Sequence, residues 1–145
     1  MKASIGGIVN LFAVAVFLVL LMSFLLFNVS YAKAFRVKNK IITTYEQYEG
    51  NCDRNTKCYK VIKQFEEDFG YKVTYELEEK EGTKCYQELG YCATEMKVKK
   101  KLNNTNITYY KYNIRTEVYI RFPFIQDIFG IGKFGVNGET HEIVR

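Results

Sequence analysis

The sequence predicts an α+β fold: a long N-terminal helix packed on a small antiparallel sheet of about four strands. Three observations carry that prediction. Residues Ile8 to Phe27 are apolar apart from Asn10 and Ser23, a helical stripe of apolar residues follows directly, and from Tyr71 onward the apolar period falls to two. At 145 residues, with 26% charged residues and a single Pro, the chain has room for one modest domain beside that apolar run.

The run comes first. Its twenty residues span roughly 30 Å as a helix, the thickness of a bilayer's hydrocarbon core. Fifteen of them are Leu, Ile, Val or Phe, which favours insertion by roughly 5–8 kcal/mol. A soluble domain this small does not cover such a helix on every side, so residues 8–27 are expected to cross a membrane, with 1–7 as a short cytoplasmic tail. Ser30-Tyr31-Ala32 also has the small-x-small pattern of a signal-peptidase site. Cleavage after Ala32, releasing a secreted disulfide-stabilised binding domain, is therefore the alternative. The apolar core exceeds the roughly 7–15 residues of a signal peptide, which favours a retained anchor.

Beyond the run, Ala34, Val37, Ile41, Tyr45 and Tyr48 recur at helical spacing, with Phe35 and Ile42 beside them. Gly50 is the first residue able to stop the helix. One helix over 8–49, some 60 Å long at roughly 1.5 Å per residue, is expected. Residues 28–50 then form an amphipathic stalk, and Val37, Ile41, Tyr45 and Tyr48 seat it on the head. A hinge near Asn28–Tyr31 is the competing arrangement.

Residues 51–145 read as the head. Tyr59 to Phe69 suits a short helix with Val61, Ile62, Phe65 and Phe69 on one side, ended by Gly70. Its acids Glu66, Glu67 and Asp68 read as a solvated face. Residues 71–79 alternate as a strand, 93–102 place Met96 and Val98 on one face, and Asn103-Asn104 suggests a turn. Asn106 to Phe122 is the clearest strand, with Tyr110, Tyr112, Ile114, Val118, Ile120 and Phe122 on one face and Pro123 at its end. An apolar turn over 124–132 and a last strand from Lys133 to Val144 complete the sheet.

Cys52, Cys58, Cys85 and Cys92 form two local pairs on one side of the membrane. An even count in a small domain behind an insertion segment indicates two disulfides and an oxidising compartment. Three connectivities are possible; proximity favours Cys52–Cys58 and Cys85–Cys92. A four-thiolate zinc site is the rival, although five and six residues separate the pairs where zinc knuckles use roughly two to four. Charge points the other way. Lys33, Arg36, Lys38 and Lys40 follow the span and only Lys2 precedes it, so the positive-inside rule places the head in the cytoplasm. The cysteines take precedence, because basic residues on a rigid helix also face anionic headgroups. The expected location is a cell membrane, single-pass, with the C-terminal domain extracytoplasmic. A cytoplasm-facing domain with free or zinc-bound thiols remains the opposite reading.

A short tail with Gly6-Gly7, an apolar helix running on amphipathically and a small sheet beyond it resemble type IV pilins and pseudopilins. The long strand ending in Phe122-Pro123-Phe124, the apolar turn and the strand carrying Gly138-Glu139-Thr140 look like the tight-adherence minor pseudopilins of the TadE/TadG type. The resemblance implies a pilin-like fold and an apolar helix that anchors the subunit and then packs on neighbouring pilin-like subunits. It also implies processing at Gly6 or Gly7, with a Glu five residues into the mature chain. Those positions hold Leu11 or Phe12, a departure that fits a minor component better than a major one.

Enzymatic chemistry has little to work with. Serine occurs only at Ser4, Ser23 and Ser30 and histidine only at His141, which excludes a Ser–His–acid hydrolase in the head. His141 reads as a surface residue. Asp53, Asp68 and Asp127 lack the spacing of a metal loop. Lys97, Lys99, Lys100 and Lys101 beside Tyr109, Tyr110 and Tyr112 read as part of a sheet in which Lys97 and Lys99 sit opposite Glu76 and Glu78, not as a nucleic-acid patch. The expectation is a non-enzymatic protein with no cofactor, no nucleic acid and no small-molecule substrate, its partners being membrane lipid and like subunits.

Overall fold

The computed structural model of the chain describes residues 2–71, 76–102, 105–119 and 133–144. It is an α+β fold in which a long N-terminal helix packs on an antiparallel sheet. Helix α1 runs without a break from Lys2 to Gln47, roughly 70 Å at 1.5 Å per residue. No hinge interrupts Asn28–Tyr31, and residues 2–7 are its first turns, not a separate tail.

The end of α1 shows how a stop is built. The Gly50 amide donates to the Tyr45 carbonyl at 2.8 Å and the Glu49 amide to the Glu46 carbonyl at 3.3 Å, the paired bonds of a Schellman motif. Glu49 takes the left-handed position (φ 51°) that glycine usually fills, and Gly50 follows with φ 76°. Gly50 is needed for a second reason. A Cβ there would overlap the Tyr112 ring, so the helix end and the sheet approach each other only across a bare backbone.

Helix α2 covers Lys57–Phe69, with the Thr56 side chain accepting from the Tyr59 amide and Gly70 closing it at φ 65°. Its inner face carries Cys58, Tyr59, Ile62 and Glu66. Strands β1 (Thr83–Tyr86), β2 (Tyr91–Leu102), β3 (Thr105–Tyr119) and β4 (Lys133–Glu139) stand in that order, and β5 (Ile143–Val144) continues along the outer edge of β3. A 3-10 turn over Gln87–Leu89 links β1 to β2.

Two expectations are corrected here. Of the strand expected over 71–79, residues 72–75 lie outside the described residues and 76–79 form no strand. The strand paired with β2 is β1 instead. The last strand is broken: Tyr112 pairs through its amide with the Thr140 hydroxyl, and Thr140 to Glu142 span only Lys111 and Tyr112 of β3. That extra residue is a bulge, which turns the edge strand and aims His141 at α1. On β2, Met96 and Val98 share one face, as expected. Ala93 and Glu95 lie opposite Ile114 and Tyr112 on the face toward α1, so Met96 and Val98 occupy the other face. The turns expected at Asn103-Asn104 and over 124–132, and the strand end at Phe122-Pro123, lie outside the described residues.

The core sits between α1, α2 and the inner sheet face. Val37, Ile41, Ile62, Tyr91 and Ile114 are fully buried there. Burial of an aliphatic or aromatic side chain stabilises by about 1.5–3 kcal/mol, so these few residues supply much of the head's cohesion. Gly50→Ala is expected to destabilise the head by about 3 kcal/mol or more, because left-handed strain of about 1–2 kcal/mol adds to the ring overlap. Gly82→Ala, at φ 77° with open space around its Cβ, should lose only the strain. Thermal unfolding of both variants in detergent micelles measures the difference.

Candidate functional site

The apolar half of α1 stands clear of the head. From Ile8 to Val29 its large side chains, half-buried Phe27 apart, are exposed, Leu11 to 76%, on a helix long and apolar enough to cross a membrane. Two polar side chains on this stretch bond to their own helix. The Ser23 hydroxyl donates to the Val19 carbonyl at 2.8 Å and the Asn28 side-chain amide to the Phe24 carbonyl at 2.8 Å, which suits polar side chains in lipid, where no water satisfies them. Gly6 and Gly7 lie within the helix, exposed, with nothing near a Cβ on either.

The head begins where this run ends. The Phe27 ring meets Phe134 edge-on at 5.2 Å. Then the stripe seats itself on the sheet. Ala34, Val37 and Ile41 are fully buried and Tyr45 nearly so, while Tyr48 is partly buried against the same core. The Thr116 hydroxyl donates to the Ala34 carbonyl at 3.3 Å, and the Tyr45 ring lies 5.3 Å from that of Tyr112. As α1 advances the partner position on β3 recedes, so helix and central strand run antiparallel. Gly138 makes the contact close: a Cβ there would sit 2.7 Å from Ile42 Cδ1 and 3.0 Å from Lys38 Cδ. Lys38 lays its stem on this glycine and points its ammonium over the Phe35 ring at 4.2 Å. Glu46 closes the seam, accepting from the His141 amide at 2.8 Å and contacting the exposed His141 ring.

The four cysteines form Cys52–Cys58, which closes the loop between α1 and α2, and Cys85–Cys92, which staples β1 to β2 across directly opposed positions. With every sulfur in a disulfide, no thiolate remains for zinc.

Glu66 departs from the solvated face expected of it. It is only 3% exposed, and its Oε1 has no hydrogen-bond partner. Burial pushes this carboxyl up to about 9, so it is neutral at physiological pH. The signal was in the sequence, since Glu66 lies four residues after Ile62 on the same helical stripe; its acidic type hid it. Nearby, the hydroxyls of Tyr45 and Tyr91 share a hydrogen bond at 3.4 Å, and burial raises both phenols.

The lysines of β2 do not face Glu76 and Glu78. Lys97 and Lys99 lie opposite Tyr110 and Thr108 of β3. Lys100 binds Glu142 at 2.6 Å, and Lys97 approaches Glu95 at 3.9 Å. Exposed pairs of this kind contribute about 0–1 kcal/mol.

No family model, curated protein or solved structure matches this chain.

Two outcomes are expected. Ile41→Asp should lower the head's thermal transition sharply, by about 3 kcal/mol or more, because it puts an unpaired charge at a fully buried site. An unmoved transition would mean the stalk does not support the head. Glu66 gives a pH signature. Its folded pKa is raised, so its favourable state is fully present in acid and is lost as pH rises from the ordinary carboxyl range toward about 9. Glu66→Gln should flatten that slope and raise the melting temperature at pH 8, read by circular dichroism across a pH series.

Proposed function

We propose that this is a single-pass, membrane-anchored envelope protein, a minor pilin-like component whose apolar helix packs on like subunits and whose disulfide-stapled head stands outside the cytoplasm. The observation that carries the reading is the continuity of α1. One unbroken helix has an exposed apolar half and a second half buried as the head's own core element. Such a helix couples a membrane position to a head orientation without a flexible joint. That property suits a subunit added to an assembly, and the role is structural, not enzymatic. The two disulfides favour the oxidising side of the membrane. Basic residues after the span remain compatible with that side: Lys33 and Arg36 are exposed where anionic headgroups would lie, while Lys38 is buried in the seam.

The secreted alternative fits less well. A cut after Ala32 falls in mid-helix, two residues before fully buried Ala34, and discards the Phe27 contact with Phe134.

The test is the intact mass of the protein extracted from its host's membranes and alkylated without reduction. The expected spectrum shows two hydrogens lost per disulfide and no alkylated thiol. Loss of residues through Gly6 or Gly7 would add prepilin-type processing to the reading. Loss through Ala32 would replace it with the secreted domain, and four alkylated thiols would place the head in the cytoplasm.

A further inference from the structure

A cavity of about 320 Å³ opens between the C-terminal turn of α1 and the inner faces of β1 and β2, at the end of the head far from the apolar run. Three elements each give it an aromatic wall: Tyr45 from α1, Tyr86 from β1 and Tyr112 from β3. The rings are held in place, Tyr45 against Tyr112 at 5.3 Å and Tyr86 stacked on Tyr91 at 4.9 Å. Ala93 lies behind them, and Gly50 and Gly82 at the rim carry no side chain to fill the space.

The charges around the cavity are uneven. At one side Lys84 and Asp53 neutralise each other at 3.3 Å, both mostly in solvent. At the other, Glu95 presents a carboxylate whose Oε2 accepts a hydrogen bond from the Tyr112 hydroxyl at 3.0 Å. Lys97 approaches its second oxygen only to 3.9 Å and is largely exposed. The phenols of Tyr45 and Tyr86 are neutral, since burial raises both. An aligned carboxylate beside neutral aromatic walls is the environment that attracts a cation through both charge and ring quadrupoles. The volume is at the small end of the roughly 300–1,000 Å³ of ligand sites.

We propose that this cavity binds an alkylammonium group, either the side chain of a lysine or a free amine, with Glu95 as its counter-charge and the three tyrosines as its walls. The site lies far from the apolar run of α1 and does not depend on the assembly reading.

The experiment uses the full chain, labelled with nitrogen-15, in maltoside micelles free of choline headgroups. It is titrated at constant ionic strength with n-butylammonium chloride and, separately, with n-butanol. Saturable shifts of the Gly50, Ala93, Glu95 and Tyr112 amides with the cation and not with the alcohol are expected. Glu95→Gln should weaken the cation at least fivefold while keeping a dispersed spectrum, and Lys84→Gln should leave it unchanged or tighter. Equal shifts with n-butanol, no saturation, or undiminished binding by Glu95→Gln would overturn the proposal, as would loss of binding in Lys84→Gln alone. N-acetyl-lysine methylamide binding more tightly than butylammonium assigns the site to a partner's lysine; the reverse order assigns it to a free amine.

Discussion

The contact between the stalk stripe of α1 and the inner face of β3 is the constraint on which the rest of the molecule depends. A small sheet has one apolar face to cover and little chain with which to cover it. Here the cover is the continuation of the helix that carries the exposed apolar run. Val37, Ile41 and Tyr45 meet Ile114, Tyr112 and Tyr91, and the close approach at Gly138 and Gly50 leaves space only for backbone. Removing the helix would expose the sheet. Hinging it would expose the sheet as well, so the rigidity of the long helix and the stability of the head have one physical source.

Around that contact, the head is held by local closures. One disulfide ties the α1–α2 loop, the other ties the β1–β2 turn, and a side chain of Thr140 completes the ladder where the edge strand bulges. Short covalent loops of this kind stabilise by roughly 2–2.5 kcal/mol each in the chain-entropy model. They matter for a domain whose apolar core is small. The buried carboxyl of Glu66, whose Oε1 has no hydrogen-bond partner, works against them, because an ionised carboxylate in that position would cost far more than a neutral one. The head therefore carries a built-in preference for its protonated form at one site.

Much of this architecture was legible from local pattern. The twenty-residue apolar run, the 3- and 4-residue spacing of Ala34, Val37, Ile41 and Tyr45, and the alternation through Tyr110, Tyr112 and Ile114 each reflect a repeat set by backbone geometry. Other features escaped for identifiable reasons. β1 has only four residues, two of them Thr and Lys, too few to show a period. Met96 and Val98 alternate correctly but point away from the helix, since alternation tells which residues share a face and not which face is covered. Glu66 lies on the right stripe with the wrong chemistry, and Gly50 hides a steric demand made by a ring sixty-two positions later in the chain.

The sequence by itself determined the helices and the two longest strands: a membrane-length apolar helix, its amphipathic continuation, a short second helix, and strands β2 and β3 that must pair. These follow from composition and period, which are properties of neighbouring residues. Only the tertiary structure decided which sheet face α1 covers, that Glu66 is sealed inside, and that Tyr45, Tyr86, Tyr112 and Glu95 converge on one cavity. Burial and proximity are set by what packs across a gap, and residues that meet there are far apart along the chain.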